Sequence, residues 1–302
     1  MNEGGDNPNG DSLTSTPEVF AEKWNRWSKL LFEEESARNS GILDWVLRRN
    51  GWSSTAQLRE FLENRSSILD AGCGNGRITK ILAENAIPKG EVFGWDINPT
   101  VAAGNLADKE NVTVQMVDLS SGELPSTNFD FIYCQEVLHH LPEPKGTFLR
   151  LSQLLSPGGT IAIYVYGLKG PVREFADERI RDVFTELDEE GKEKFIEAIT
   201  SLGKQLAQIE QEVTIEGLES IGFRSGTFPV QKFVYDNLMK CFWNENLGID
   251  GSKAINFDWY APSLASKHTL PEVLEWVLAA GLELTHHAQD EYGITVHGRK
   301  AH

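Results

Sequence analysis

The chain has 302 residues, 40% hydrophobic and 10% aromatic, enough apolar material for one large domain carrying an insertion. A formal net charge of −17, with no basic run anywhere, argues against a nucleic-acid substrate, because a phosphate backbone would be repelled. No stretch approaches the ~20 apolar residues of a membrane span, the start lacks the pattern of a secretory leader, and the cysteines (Cys73, Cys134, Cys241) are scattered; these read as reduced thiols in a cytoplasmic protein with no zinc site and no membrane partner.

In chain order, residues 1–16 are rich in Gly, Asn, Ser and Asp and read as a disordered tail. Residues 17–65 form a helical segment. Pro17 to Phe32 brings Phe20, Trp24, Trp27, Leu30 and Leu31 roughly into phase, and shorter amphipathic stretches run over Ile42–Leu47 and Thr55–Leu62. The aromatics of this segment suit either a lid or the packing of a helical cap. Ser67 to Leu69 is then a short buried strand with Asp70 at its carboxyl end. Gly72, Gly74 and Gly76 follow at alternate positions, and the helical spacing of Ile78, Ile81 and Leu82 comes next. Strand, glycine turn and helix make a pocket of nucleotide type, in which the backbone can approach a ligand closely.

Alternation continues with strands Glu91–Trp95, Val112–Val117, Phe129–Cys134 and Thr160–Tyr166, separated by helices over Pro99–Leu106 and Gly146–Leu155. This is the pattern of a parallel sheet with crossovers, whose ligands bind at the carboxyl edge. It stops over residues 169–266, an acidic and mainly helical insertion. There Phe195, Ile199, Leu202, Leu206, Ile209 and Val213 form one apolar stripe, read as core packing with a homodimer seam as the alternative. A helix over Leu270–Ala280 and two strands, Leu282–Ala288 and Gly293–Arg299, close the chain; their short connection demands an antiparallel pair.

The glycine spacing narrows the ligand. In the dinucleotide fingerprint the third glycine comes one residue later, where this chain has Arg77, and a carboxylate at Asp70 would crowd a pyrophosphate. Asp-x-Gly-x-Gly-x-Gly instead resembles the cofactor loop of the class I S-adenosylmethionine-dependent methyltransferases, and the parallel sheet ending in an antiparallel hairpin resembles their seven-stranded Rossmann-like α/β fold. The resemblance covers residues 66–168 and 267–302. It implies that S-adenosylmethionine is held by the loop (Gly72, Cys73, Gly74, Asn75, Gly76), with Asp70 near its amino group. Asp96 would take the ribose hydroxyls and Ile97 would pack on adenine. Asp118 and Leu119 would meet the adenine edge, and Gln135 falls in the same set.

Methyl transfer from a sulfonium is an in-line displacement, so alignment and exclusion of water carry much of the catalysis. The segment after the fourth strand, Gln135-Glu136-Val-Leu-His139-His140, lies where an acceptor should meet the methyl group. Glu136 and His140, four apart, could share a helical face and act as base; the bland alternative is a helix-start carboxylate and a packing histidine. His139, Tyr164, Tyr166, Trp259 and Tyr260 are candidate substrate contacts, the last two in the aromatic run that leaves the insertion. The expected activity is methyl transfer to a small-molecule oxygen, nitrogen or carbon under a cap formed by residues 169–266. An NAD(P)-dependent oxidoreductase, or a binding protein without transfer activity, are the competing readings.

Overall fold

The computed structural model describes residues 15–33, 39 and 41–302. Most of the 1–16 tail therefore lies outside the described residues, but Ser15 and Thr16 are ordered parts of a helix start. The Ser15 N–H donates to the Glu18 carboxylate at 2.8 Å, capping α1 (Thr16–Arg26). The helix stops six residues short of Phe32, and the chain passes through turns to Leu31, whose φ is +55°. Helices α2 (Ile42–Arg49) and α3 (Thr55–Leu62) follow.

The sheet is built from β1 (Ser67–Ala71), β2 (Glu91–Asp96), β3 (Val112–Met116), β4 (Phe129–Gln135), β5 (Leu155–Tyr166), β8 (Glu283–Gln289) and β9 (Gly293–Arg299). Its spatial order is β3-β2-β1-β4-β5-β9-β8, with β1 to β5 parallel and the last two antiparallel. This is the parallel sheet expected from the alternation, closed by the antiparallel pair and in the seven-stranded form that the resemblance implies. In β4 every residue but Asp130 is buried, the signature of a central strand covered on both faces. Asp130 turns its carboxylate to the Ser66 and Ser67 N–H groups at 2.9 and 3.1 Å, tying the start of β1 to β4. The Ser156–Gly159 turn lies inside β5 as a bulge: the pairing jumps from Phe129↔Leu155 to Phe131↔Thr160, with Gly158 at φ +75°.

Alternate residues of each strand feed two cores. On one face Leu69, Ile132, Ile161 and Val296 meet α6 (Pro144–Gln153) and α11 (Leu270–Ala279) through Phe148, Leu151, Val273 and Trp276. On the other, Ile68, Val92, Phe131 and Ala162 meet α2, α3 and α4 (Arg77–Asn85) through Leu47, Leu58, Leu62 and Leu82. A short helix, α5 (Thr100–Asn105), joins β2 to β3. The insertion contributes α7 (Pro171–Thr185), α8 (Glu189–Ala207), a small hairpin β6 (Glu212–Ile215) and β7 (Gly226–Pro229), then α9 (Val230–Asn237) and α10 (Gly248–Tyr260). Its core, Phe184, Ile196, Ile199, Cys241, Phe257 and Trp259, is continuous with Tyr164 and Tyr166 of β5.

Two expectations are corrected here. The apolar stripe does not run to Val213, because α8 ends at Ala207; the buried face is Ile196, Ile199, Thr200 and Gly203, while Leu202 and Ile209 are exposed. Nor do Glu136 and His140 share a helical face. Glu136 has φ +57°, which breaks any helix at its start, and only a 3-10 turn over Leu138–His140 follows. The Glu136 N–H still donates to the Tyr164 carbonyl at 3.1 Å, so β4 pairing persists up to the break.

Candidate functional site

The loop after β1 carries left-handed backbone at Gly72 (φ +85°) and Gly74 (φ +57°). A Cβ on Gly72 would sit 2.3 Å from a Val137 methyl, and one on Gly74 2.8 Å from the Trp24 ring, so only glycine fits either position. The Asp96 carboxylate accepts the Gly74 N–H at 2.8 Å and the Asn98 N–H at 2.9 Å, locking the end of β2 to the loop. Asn75 is wholly buried; its amide donates to the Ser28 and Leu30 carbonyls at 3.2 and 2.9 Å, which holds the segment after α1 over the loop. Gly76 caps α4 and packs on Leu106.

A cavity of about 330 Å³ opens beside this loop at the carboxyl edge of the sheet. Asp70, Gly72, Cys73, Gly74, Asn75, Asp96, Ile97, Asp118, Leu119, Gln135, Glu136 and His140 line it; Gly76 does not. It lies at the topological switch point between β1 and β4, where open α/β sheets bind ligands. Its roof is α1, through Thr16, Phe20, Lys23 and Trp24, together with Asp258, Ser263 and Leu264 of the insertion.

Among the described residues, no cation lies at ion-pair distance from Asp70, Asp96 or Asp118 of this cavity. Burial pushes the Asp70 carboxyl up to about 7, against a 2.6 Å hydrogen bond from the Thr79 hydroxyl that holds it down. Burial likewise raises Asp96, although the Asn98 and Gly74 N–H groups oppose the shift. Asp118 is more exposed and accepts from the Ser120 N–H and hydroxyl at 2.8 and 2.6 Å, fixing the turn beyond β3. The donor set suits S-adenosylmethionine: a buried carboxylate for an ammonium group, a second for a ribose diol, and a glycine cradle with no room for a Cβ.

A second cavity, about 280 Å³, lies beneath the insertion. Tyr164, Tyr166 and Trp259 line it, as do Trp45, Tyr235, Phe242 and Tyr292. Four charged residues, Lys23, Arg77, Glu136 and Asp258, belong to the walls of both cavities. They form two ion pairs, Lys23–Asp258 at 2.6 Å and Arg77–Glu136 at 3.3 Å. The divide between the chambers is therefore charged and internally neutral. Gln135 also donates to the Glu136 carboxylate at 3.4 Å.

The remaining candidates fall elsewhere. His140 lines the first cavity only; its Nδ1 lies 2.7 Å from the Leu264 carbonyl and must carry the proton, which leaves Nε2 as the acceptor. Burial lowers its pKa to about 4, so the ring is neutral. His139 is fully buried, stacked on Tyr166 at 3.6 Å with Nδ1 accepting the Tyr166 N–H, and borders neither of these cavities. Tyr260 is equally buried, its hydroxyl donating to the Lys240 carbonyl at 2.7 Å; it is packing within the insertion and not a wall. Sequence reasoning left out Lys23, Trp24, Asp258 and Lys240 as site residues. Phe20 and Trp24 at helical spacing hinted at a lid, but nothing in the spacing of Lys23, Asp258 and Lys240 could bring three separate elements together.

Residues 69–163 match the family profile described as a methyltransferase domain. Over 101 residues the chain is 32% identical to an uncharacterized methyltransferase of Mycobacterium tuberculosis, a match covering 33% of this chain and 50% of that protein. A ubiquinone biosynthesis O-methyltransferase of Coxiella burnetii is 31% identical over 98 residues, covering 31% of this chain and 41% of that one. The chain thus spans half the length, or less, of these curated relatives. Among solved structures, the 1,6-didemethyltoxoflavin-N1-methyltransferase of Burkholderia thailandensis, with 1,6-didemethyltoxoflavin and S-adenosylhomocysteine bound, superposes at a TM-score of 0.51 and 15% identity, covering 100% of this chain and 94% of that one. The likeness is one of fold.

Proposed function

We propose that this chain, which carries a class I S-adenosylmethionine-dependent methyltransferase domain, transfers a methyl group from S-adenosylmethionine to a small-molecule acceptor held beneath the insertion. The observation that carries this reading is the pair of chambers sharing the Lys23, Arg77, Glu136 and Asp258 wall, one lined by carboxylates and glycine backbone, the other by aromatic rings. When bound, the cofactor supplies an electrophilic methyl group on a sulfonium. The protein's part is binding, alignment and exclusion of water. In this reading Asp70, the glycine loop, Asp96, Ile97, Asp118 and Leu119 hold the donor. Residues 66–168 and 267–302 form the transfer domain, and residues 169–266 form the cap.

Glu136 is the group best placed to receive a proton from an acceptor. Its carboxylate borders both chambers, and Arg77 and Gln135 fix its direction. His140, held by the Leu264 carbonyl and lining the first of these two cavities but not the second, acts as a positioning residue in the donor cavity. The strained backbone at Glu136 supports a functional reading, since a non-glycine residue at φ +57° costs energy that packing alone does not require.

The test is thermal stabilisation. S-adenosylhomocysteine at a hundred times its dissociation constant should stabilise the fold by about 2.7 kcal/mol, while NAD should leave the melting curve unchanged. The converse pattern would replace the methyltransferase reading with that of a nicotinamide enzyme.

A further inference from the structure

The chamber beneath the cap keeps uncompensated positive charge inside a strongly acidic chain. Its four lining carboxylates are matched by four cations: Asp258 with Lys23 at 2.6 Å, Asp236 with Lys232 at 2.7 Å, Glu291 with Lys232 and Arg224 at 3.1 and 3.5 Å, and Glu136 with Arg77 at 3.3 Å. Two lining ammonium groups have no carboxylate at ion-pair distance among the described residues. Lys169 donates only to the Glu291 backbone carbonyl. Lys240, 9% exposed, has no hydrogen bond from its Nζ among the described residues and sits among the rings of Trp259, Tyr235 and Phe242 at 4.8, 5.3 and 5.9 Å.

Burying an ammonium ion without a counter-ion is costly, and three ring faces return only part of that cost. Burial and the neighbouring Arg173 guanidinium press Lys240 down to about 8 and Lys169 to about 7, the direction expected of cations short of an anion. Arg173 itself is spent on Asp177 at 2.7 Å. An indole N–H on the same wall, that of Trp259, is also buried without an acceptor among the described residues.

Resting on the methyl-transfer reading, we propose that the acceptor is an aromatic acid whose anionic group is bound by Lys240, with Lys169 as the second cation, while its ring lies among Trp45, Tyr235, Trp259 and Tyr292. The anion supplies the missing counter-charge. A flat ring matches the aromatic walls and leaves its far edge to reach the Glu136 divide. An uncharged acceptor would leave both lysines as they stand.

Three acid–amide pairs test the assignment by calorimetry on the full chain saturated with S-adenosylhomocysteine: 4-hydroxybenzoate, 4-hydroxycinnamate and indole-3-carboxylate, each against its primary amide. At least one acid should bind about 10-fold or more tighter than its amide, the worth of a hydrogen bond to a charged group. Lys240→Met should bring that ratio near unity with S-adenosylhomocysteine affinity unchanged, and Lys240→Arg should keep the preference. Should Lys240→Met not fold, Lys169→Met is expected to lower the ratio in the same direction. Amides binding as well as acids, no acid binding, or an undiminished preference in the methionine variants would overturn the proposal. Failure of S-adenosylhomocysteine to bind would strike the methyl-transfer reading instead, since the acid–amide ratio can still be read on the free protein.

Discussion

At the scale of single residues, the two carboxylates at the ends of β1 and β2 make separable predictions. Asp96→Ala removes the acceptor that also holds the Gly74 N–H, so S-adenosylhomocysteine binding should be lost in calorimetry. Glu136→Gln should bind it as the unmodified protein does, and slow transfer by about 10²-fold or more if the carboxylate takes a proton; equal loss of binding in both variants would make Glu136 a cofactor residue. Asp70 adds a pH dependence. Its folded value of about 7 lies above the ordinary carboxyl value, so the empty fold holds a proton that an unfolded chain releases, and stability from this group falls as pH rises from about 4 to 7. A cofactor ammonium beside it would favour the anion. Binding near pH 6.5 should therefore release protons, and affinity should climb as pH approaches 7. Heats measured in buffers of different ionisation enthalpy would reveal the release; Asp70→Asn should abolish it, and buffer-independent heats in the unmodified protein would refute it.

At the scale of elements, α1 joins the sheet edge to the insertion. Thr16 accepts the Leu264 N–H at 3.1 Å and bonds the Ser263 hydroxyl at 2.9 Å, and one helical turn beyond Phe20 the buried Lys23 meets Asp258 of α10. Burial works against the Asp258 anion, yet Lys23 holds its carboxyl below the ordinary value. Lys23→Met leaves that anion without its partner and should cost about 3 kcal/mol, whereas Lys23→Met combined with Asp258→Asn should recover most of the loss. Chemical denaturation of the four proteins of the cycle measures this. Additive losses would mean the pair is uncoupled and α1 is held by its aromatic contacts and by the Thr16 and Arg26 bonds to the insertion.

At the scale of the whole molecule, the insertion shares its core with β5 through Tyr164 and Tyr166, so insertion and sheet should unfold together. Phe184→Ala, deep in that shared core, should cost about 3–5 kcal/mol and lower the single transition as a unit. Tryptophan fluorescence and far-ultraviolet circular dichroism should give coincident melting curves; two separated transitions would make the insertion an independent unit. How much of this was legible in the sequence follows from the range of the forces involved. The glycine loop, the acids at Asp70 and Asp96, the parallel alternation and the closing hairpin are local or periodic, since backbone sterics and side-chain period act over a few residues. Those features determined the fold and the glycine and carboxylate wall of the first cavity. Glu136 was expected on a helix because i, i+4 spacing is the commonest reason for two polar residues to meet, and its left-handed backbone has no local signature. The stripe in α8 was carried too far because apolar spacing does not show where a helix stops. His139 and Tyr260 were expected in the site because aromatic composition cannot tell a wall from a core. The second chamber, where Lys23, Arg77, Asp258 and Lys240 arrive from four separate segments, was decided only by tertiary packing: charge and burial at a point depend on everything folded around it.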